Sequence, residues 1–308
     1  MQKSSYFIEN RALMGSFPTK EDIKELVDTF NVKYFVDLTE EGESYIEKYQ
    51  VQEPLQLISY PIQDKKTPKN WRGFAKFILT LERIINTELS DTVRMYIHCK
   101  GGHGRTGIVV ACLLGHMKQI TSTEAIEQTT IFHNKRPNLK PKWIKYGAPQ
   151  NIYQKNFVHR FLSPLYFYKS IGPVCGFSNF SHHSVTTSLG VFKTSEAAYH
   201  AHKCPMDKLY VENLKNIQSP SIAKKLSRSV ILRNDWENIK KDIMYMILRN
   251  KFETHEIIRN NLLATGLRPL YEHTDRDLYW GDGGEMGGGQ NHMGKILSRV
   301  RDELYLIY

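Results

Sequence analysis

His98-Cys99-Lys100-Gly101-Gly102-His103-Gly104-Arg105-Thr106-Gly107 places a nucleophile, a permanent cation and four glycines within ten residues. The run Met95–His98 before the cysteine reads as a buried strand, and Gly107–His116 (GIVVACLLGH) as the first turns of a helix that is apolar all round. A glycine-rich turn from a strand into a helix N-terminus gathers backbone N–H groups around an anion, and Gly101, Gly102 and Gly104 let it curl without Cβ clashes. Arg105, six residues after Cys99, suits a bidentate grip on two phosphoryl oxygens. The same surroundings favour a thiolate at Cys99, which can attack phosphorus. The chemistry indicated is phosphate ester cleavage through a phosphocysteine.

This segment resembles the active-site loop of the protein tyrosine/dual-specificity phosphatase superfamily, and the likeness runs over about residues 5–162. It implies an α/β domain with a central mixed sheet flanked by helices. It also implies an acid that protonates the leaving oxygen, here Asp64 in Pro61-Ile62-Gln63-Asp64-Lys65-Lys66-Thr67-Pro68. By the same likeness Thr106 stabilises the departing thiolate, His98 tunes Cys99 from behind, and Gln154 positions the hydrolytic water. Lys100 and His103 replace the small or neutral loop residues of many members, which adds positive charge. Phosphoprotein and small-molecule phosphate both fit.

A second set of segments begins at Tyr166-Phe167-Tyr168-Lys169-Ser170. It continues through Gly176-Phe177-Ser178-Asn179-Phe180-Ser181, Lys193-Thr194-Ser195-Glu196 and Leu232-Arg233-Asn234-Asp235-Trp236-Glu237. Lys251-Phe252, Glu272-His273-Thr274 and Asp277-Leu278-Tyr279-Trp280-Gly281-Asp282-Gly283-Gly284 follow. Together these resemble the YbiA-like, or NADAR, family, which implies an N-glycosidase for ribosylated or ADP-ribosylated metabolites or nucleic acid. Breaking a ribosyl C–N bond passes through an oxocarbenium-like state and calls for a carboxylate near the anomeric carbon and an acid/base. Glu196 matches the family's catalytic glutamate, and a first-turn position favours its charged form. Asp277 and Asp282 are candidates for the second carboxylate or are turn residues. Trp280 stacks on a base or packs in the core. Lys203 and Arg233 grip phosphate or face solvent, and Asn179 joins the substrate contacts. His182 and His183 lack further ligands nearby, so no metal or cofactor is expected.

Two domains of ordinary size accommodate 308 residues, and the break falls at Ser163–Pro164, giving 1–163 and 164–308. In the first, Lys20–Phe30 and Trp71–Asn86 have helical spacing, Val32–Leu38 reads as a strand, and Asn151–Phe161 reads as a closing helix. The second, α-rich with some β, begins with a strand over Leu165–Lys169. Its helices are expected at Thr194–Lys203, Asp235–Arg249, Glu253–Ala264 and His292–Leu304, with Thr194 and Asn234 as caps and a glycine loop over Gly281–Gly289. The net charge of +10 suits phosphorylated ligands. Cysteines at 99, 112, 175 and 204, with no CxxC pair, fit reduced thiols in a cytoplasmic protein. No stretch has the length of a membrane span. The reading is a bifunctional hydrolase; the alternative is a phosphatase with a non-catalytic ADP-ribose or nucleotide-binding module.

Overall fold

The computed structural model describes residues 2–44, 46–168 and 172–308, and the chain divides into two compact units, Met1–Ser163 and Pro164–Tyr308. Lys169 and Ser170 of the second resemblance lie outside the described residues.

Unit 1 runs β1 (Ser4–Ile8), β2 (Ala12–Ser16), α1 (Lys20–Asp28), β3 (Val32–Asp37), β4 (Gln56–Ser59), α2 (Trp71–Thr87) and β5 (Arg94–Cys99). The helices α3 (Arg105–Lys118), α4 (Ser122–Asn134), α5 (Pro141–Tyr146) and α6 (Ile152–Phe161) complete it. Its five strands form one mixed sheet in the order β1-β2-β5-β3-β4, with only the β1–β2 pair antiparallel. Strand β5 is central, and its register sets Cys99 opposite Ser16 and His98 opposite Asp37. Functional groups of parallel sheets gather at the carboxyl ends of the strands, and β5 ends at Cys99. Helix α3 has every residue from Arg105 to His116 buried, packed against α2, α4 and α6 as well as the sheet. That burial accounts for a segment apolar on all sides.

The helices are fixed by local devices. Thr121 and Glu124 form a reciprocal capping box at the start of α4, and Asn151 caps α6 by accepting from the Gln154 amide. Helix α2 joins α6 through Phe74, a fully buried ring lying 5.4 Å from Phe157 and 5.0 Å from Phe161 between ring centroids.

Unit 2 comprises β6 (Leu165–Phe167), β7 (Val185–Thr187), β8 (Gly190–Phe192), α7 (Ser195–Ala201), α8 (Lys208–Asn216) and α9 (Pro220–Leu226). These are followed by α10 (Trp236–Thr254), α11 (Glu256–Ala264), β9 (Leu270–Glu272) and α12 (His292–Ile307). Strand β6 pairs in parallel with β9, and β7 and β8 form a hairpin. Helix α10 is the spine, packed on α7, α11, α12 and β7. The unit is α-rich α+β.

Most element ends fall within a few residues of the sequence expectation, and three differences in unit 2 have a local cause. The α10 cap is Asp235 rather than Asn234, and its carboxylate turns back to Arg233 instead of bonding the helix amides. The helix expected from Glu253 is interrupted at the extended His255, so α10 runs on to Thr254 and α11 starts at Glu256. The glycine loop carries one short 3₁₀ turn, Gly284–Met286.

Truncating Phe74 to alanine removes the ring shared by α2 and α6. It should cost about 3–5 kcal/mol of stability, as large-to-small changes at buried aromatics do. Urea unfolding monitored through hydrogen exchange of the β5 amides checks this; a loss below about 1 kcal/mol would show that the ring cluster does not tie the helices together.

Candidate active sites

In unit 1 the loop leaves β5 at Cys99, whose thiol is buried, and turns into α3 at Arg105. The amide of Gly102 donates to Cys99 Sγ at 3.2 Å. Gly102 has φ +69°, the left-handed region that favours glycine, and this turns its amide inward. Gly104 lies against Gln154: a Cβ there would sit 2.7 Å from both the Nε2 and Oε1 of that side chain. Gln154 is buried; its Nε2 donates to the Lys66 carbonyl at 3.3 Å and its Oε1 has no hydrogen-bond partner. Thr106 is fully buried with its hydroxyl unpartnered.

Arg105 is only 1% exposed. Its Nη1 and Nη2 donate to the two carboxylate oxygens of Glu43, both at 2.7 Å, and Nη2 also meets Asp64 Oδ1 at 3.1 Å. Burial opposes the guanidinium charge, but the bonds to Glu43 and the nearby Cys99 and Asp64 prevail and hold its pKa above the usual value. Glu43 in turn is shifted downward, because the Arg105 contact outweighs its own burial. Arg105 also donates to the Ile62 carbonyl at 3.0 Å, so the loop bearing Asp64 is tied to the cation.

Behind the loop, the buried Arg136 donates to the carbonyls of Gly101, at 3.2 Å, and Gly102. His98 is fully buried, and desolvation lowers its pKa to about 4; its Nε2 lies 2.6 Å from the Tyr49 hydroxyl. The Lys100 ammonium reaches the Ser44 carbonyl at 3.0 Å. His103 corrects the sequence reading. Burial, together with Arg136, His133 and Lys142, drives its pKa to about 3. Its Nδ1 bonds His133 at 2.8 Å and its ring stacks on Trp143 at 4.3 Å. The imidazole is therefore neutral and adds no charge to the loop. Glu43 and Arg136 were not singled out in the sequence, because their approach to the loop depends on tertiary packing.

Unit 2 holds a cavity of about 780 Å³. Glu196, on the first turn of α7, lines it, and its Oε1 bonds His200 Nε2 at 2.9 Å. The His200 pKa is lowered by burial against the pull of Glu196. Thr194 caps α7 by accepting from the Ala197 amide, and the Glu196 amide donates to the Asn179 carbonyl at 3.2 Å. Asn179 also lines the cavity, with its Oδ1 buried and unpartnered. Behind Asn179, the buried Lys251 donates to the Ser178 carbonyl at 2.9 Å. Lys203, Asp277 and Trp280 face the same space; burial lowers the Lys203 pKa. Asp277 Oδ1 is engaged by the amides of Tyr279, at 3.0 Å, and Trp280, at 2.9 Å.

Two expected residues do not line the cavity. Arg233 forks onto the Asp235 carboxylate, with Nε at 2.5 Å. Asp282 is used up in building its loop: it accepts from Gly284, at 2.9 Å, and Thr274, at 3.2 Å, and bonds His273 at 2.9 Å. Lys224, Arg228, Lys240 and Arg276 supply further cations, and Glu272 a third carboxyl group, none given a role from sequence. Among the described residues no group of three or more His, Cys, Asp or Glu side chains is placed to hold a metal ion, and no helix is long and apolar enough to cross a membrane.

A cysteine–arginine anion loop on a mixed sheet, followed by an α+β unit with a carboxylate-bearing cationic cavity, defines a phosphatase domain joined to an N-glycosidase-family module. Residues 2–145 match the Swiss Army Knife protein DSP-PTPase phosphatase domain, and residues 166–305 match the NADAR domain. Protein 197R of Invertebrate iridescent virus 6, named as a tyrosine phosphatase, is 31% identical over 302 residues, which cover 96% of this chain and 90% of that one. N-glycosidase YbiA of Escherichia coli (strain K12) is 39% identical over 140 residues, 45% of this chain and 86% of its own. The NMR structure of the E. coli protein YbiA, 36% identical, covers 47% of this chain and 86% of its own with a TM-score of 0.44. The chain belongs to the dual-specificity-type phosphatase family in its first part and to the NADAR, YbiA-like family in its second.

Because desolvation dominates at His103, its ring should stay neutral through the whole physiological range. In a histidine NMR titration of the folded protein, its ring resonances should not move between about pH 8 and pH 5, whereas an unperturbed histidine titrates near 6.5. A midpoint above about pH 6 would restore His103 as a charged loop residue.

Proposed function

We propose that the chain is a bifunctional hydrolase whose first unit cleaves phosphate monoesters through a phosphocysteine and whose second cleaves an N-glycosidic bond. For the first unit the reading rests on one arrangement: the Gly102 amide aimed at Cys99 Sγ, with Arg105 holding Asp64 beside it at 3.1 Å. Cys99 attacks phosphorus while the loop amides and Arg105 receive the equatorial oxygens. Lys100 adds charge at the rim. Asp64, with a side chain 47% exposed, is free to reach a leaving oxygen and protonate it. In the second step water displaces the thiolate. Gln154, packed on Gly104, orients that water, and the Thr106 hydroxyl, unpartnered among the described residues, donates to the departing sulfur. Phosphoprotein and small-molecule phosphate both remain candidate substrates; with His103 neutral, the cations at the site are Arg105 and Lys100.

For the second unit the reading rests on Glu196 in a cavity large enough for a nucleotide and walled by cations and aromatic rings. Its carboxylate faces the charge that develops at the anomeric carbon. Trp280 and Tyr199 offer faces for a base, and Lys203, Lys224, Arg228 and Arg276 offer partners for phosphate or diphosphate. A ribosylated or ADP-ribosylated metabolite or nucleic acid fits this lining.

Replacing Cys99 with serine should abolish turnover of p-nitrophenyl phosphate while phosphate still binds, since a serine hydroxyl supplies no thiolate. Retained turnover in the purified variant would falsify the covalent mechanism. Asp64→Asn should lower kcat by about 10²–10⁴ on alkyl phosphates but much less on p-nitrophenyl phosphate, whose leaving group needs little protonation. Equal losses on both would mean that Asp64 is not the acid. For unit 2, Glu196→Gln should reduce release of free base from an N-ribosyl aminopyrimidine phosphate by at least about 10²-fold with little change in KM. A KM effect alone would make Glu196 a binding residue.

A further inference from the structure

The cavity of unit 2 contains three carboxyl groups, and they are not equivalently placed. Glu196 is bonded to His200. Asp277 accepts from two backbone amides. Glu272, at the last position of β9, lines the cavity half-buried, and its carboxyl has no hydrogen-bond or ion-pair partner among the described residues; its backbone amide donates to Asn291 Oδ1 at 3.0 Å and its carbonyl accepts from the Asp282 amide at 2.9 Å. A desolvated carboxyl without donors is costly to ionise, and neighbouring carboxylates add repulsion. We propose that Glu272 is the proton donor of the unit 2 reaction, and that its substrate is therefore an N-glycoside whose leaving nitrogen must gain a proton, rather than a pyridinium. The proposal rests on the glycosidase reading of this site and goes beyond it by dividing the labour between two glutamates and by setting the leaving group.

The electrostatics agree in sign. Burial first, then the charges of Asp277, Glu196 and Asp282, push the Glu272 pKa up to about 7, with Lys224 alone pulling the other way. The proton is held at and below neutrality and lost as pH rises through that value, whereas an acid with an unperturbed glutamate pKa would already be empty there. Glu196 bonded to His200 and Glu272 without a partner thus stand in different surroundings within one cavity, the arrangement that divides roles between two carboxyl groups. In the reaction, Glu272 transfers its proton to the leaving nitrogen while the C–N bond electrons depart with that nitrogen. Electron deficiency builds at the ribosyl carbon beside the Glu196 carboxylate. Water then bonds to this carbon and gives its proton to the Glu272 carboxylate, which restores the acid. In the sequence Glu272 stands out only as part of Glu272-His273-Thr274, whereas Asp277 and Asp282, aspartates among glycines, look like site residues. Asp282 is instead consumed by its own loop.

The test uses the full chain and follows release of free base. On an N-ribosyl aminopyrimidine phosphate, Glu272→Gln should lose about 10²–10⁴-fold in kcat with KM nearly unchanged, and the alkaline limb of the wild-type pH profile near 7 should disappear. On nicotinamide mononucleotide, whose base departs neutral without a proton, the loss should be at least about tenfold smaller than on the aminopyrimidine substrate. Infrared difference spectra of wild type minus Glu272→Gln should contain a protonated-carboxyl stretch at about pH 6 that vanishes by about pH 9; this reads the proton directly and does not depend on turnover. An undiminished kcat in the variant, an equal loss on both substrates, or no protonated-carboxyl band overturns the role of Glu272 alone. A wild type that cleaves no N-glycoside of either kind overturns the glycosidase reading and this inference with it.

Discussion

Arg105 carries a full charge at a position almost closed to water, and much of unit 1 is arranged to make that tolerable. An isolated buried guanidinium would cost several kcal/mol; here two Glu43 oxygens, Asp64 and the Ile62 carbonyl surround it. Glu43 comes from the segment after β3, and Ile62 and Asp64 from the loop before α2, so one cation ties both stretches to the start of α3. Arg136 repeats the solution from behind with carbonyl acceptors: it holds the Gly101 and Gly102 oxygens, and the N–H of the Gly101–Gly102 peptide, opposite the held oxygen, donates to Cys99 Sγ. The anion site is thus made of backbone dipoles and the Arg105 guanidinium, with Lys100 at the rim, held in place before any phosphate arrives.

Unit 2 meets a related difficulty with the signs mixed. Its cavity gathers three carboxyl groups among five Lys and Arg side chains and His200, and the cost of their proximity is spread unequally. Asp277 is stabilised by amides and Glu196 by His200, while Glu272 receives nothing and keeps its proton. Burial also works on the bases, lowering the pKa values of His200 and Lys203. A wetter pocket would let every group ionise, and the distinction between acid and stabilising carboxylate would be lost.

What sequence could reveal followed from how far each feature depends on neighbours along the chain. Cys99, the glycines and Arg105 are legible because a loop between a strand and a helix is set by local backbone requirements, and α3 betrayed its burial by being apolar on every side. Thr194 was legible as a cap for the same reason. His103 was read as a charge, since what lowers its pKa is burial, to which the stacked Trp143 belongs, together with Arg136, His133 and Lys142, all 30 or more positions further on. Arg233 and Asp282 look like ligand contacts in a string of letters; only the fold reveals Asp235 and the Gly284 and Thr274 amides taking them up.

Glu272 is the opposite case, and it shows why partner groups matter more than residue type. As a letter it is an ordinary glutamate at the end of a short strand. Its distinction is a lack: the hydrogen bonds that Asp277 and Asp282 enjoy are supplied by the turn of chain each one closes, and a residue at the edge of β9 closes none. A strand end presents its side chain to whatever space the neighbouring elements leave, and in unit 2 they leave the cavity. The loop aspartates spend their lone pairs on structure. The strand glutamate keeps its own for chemistry, which is why the residue least marked in the sequence is the one the geometry leaves available to carry a proton.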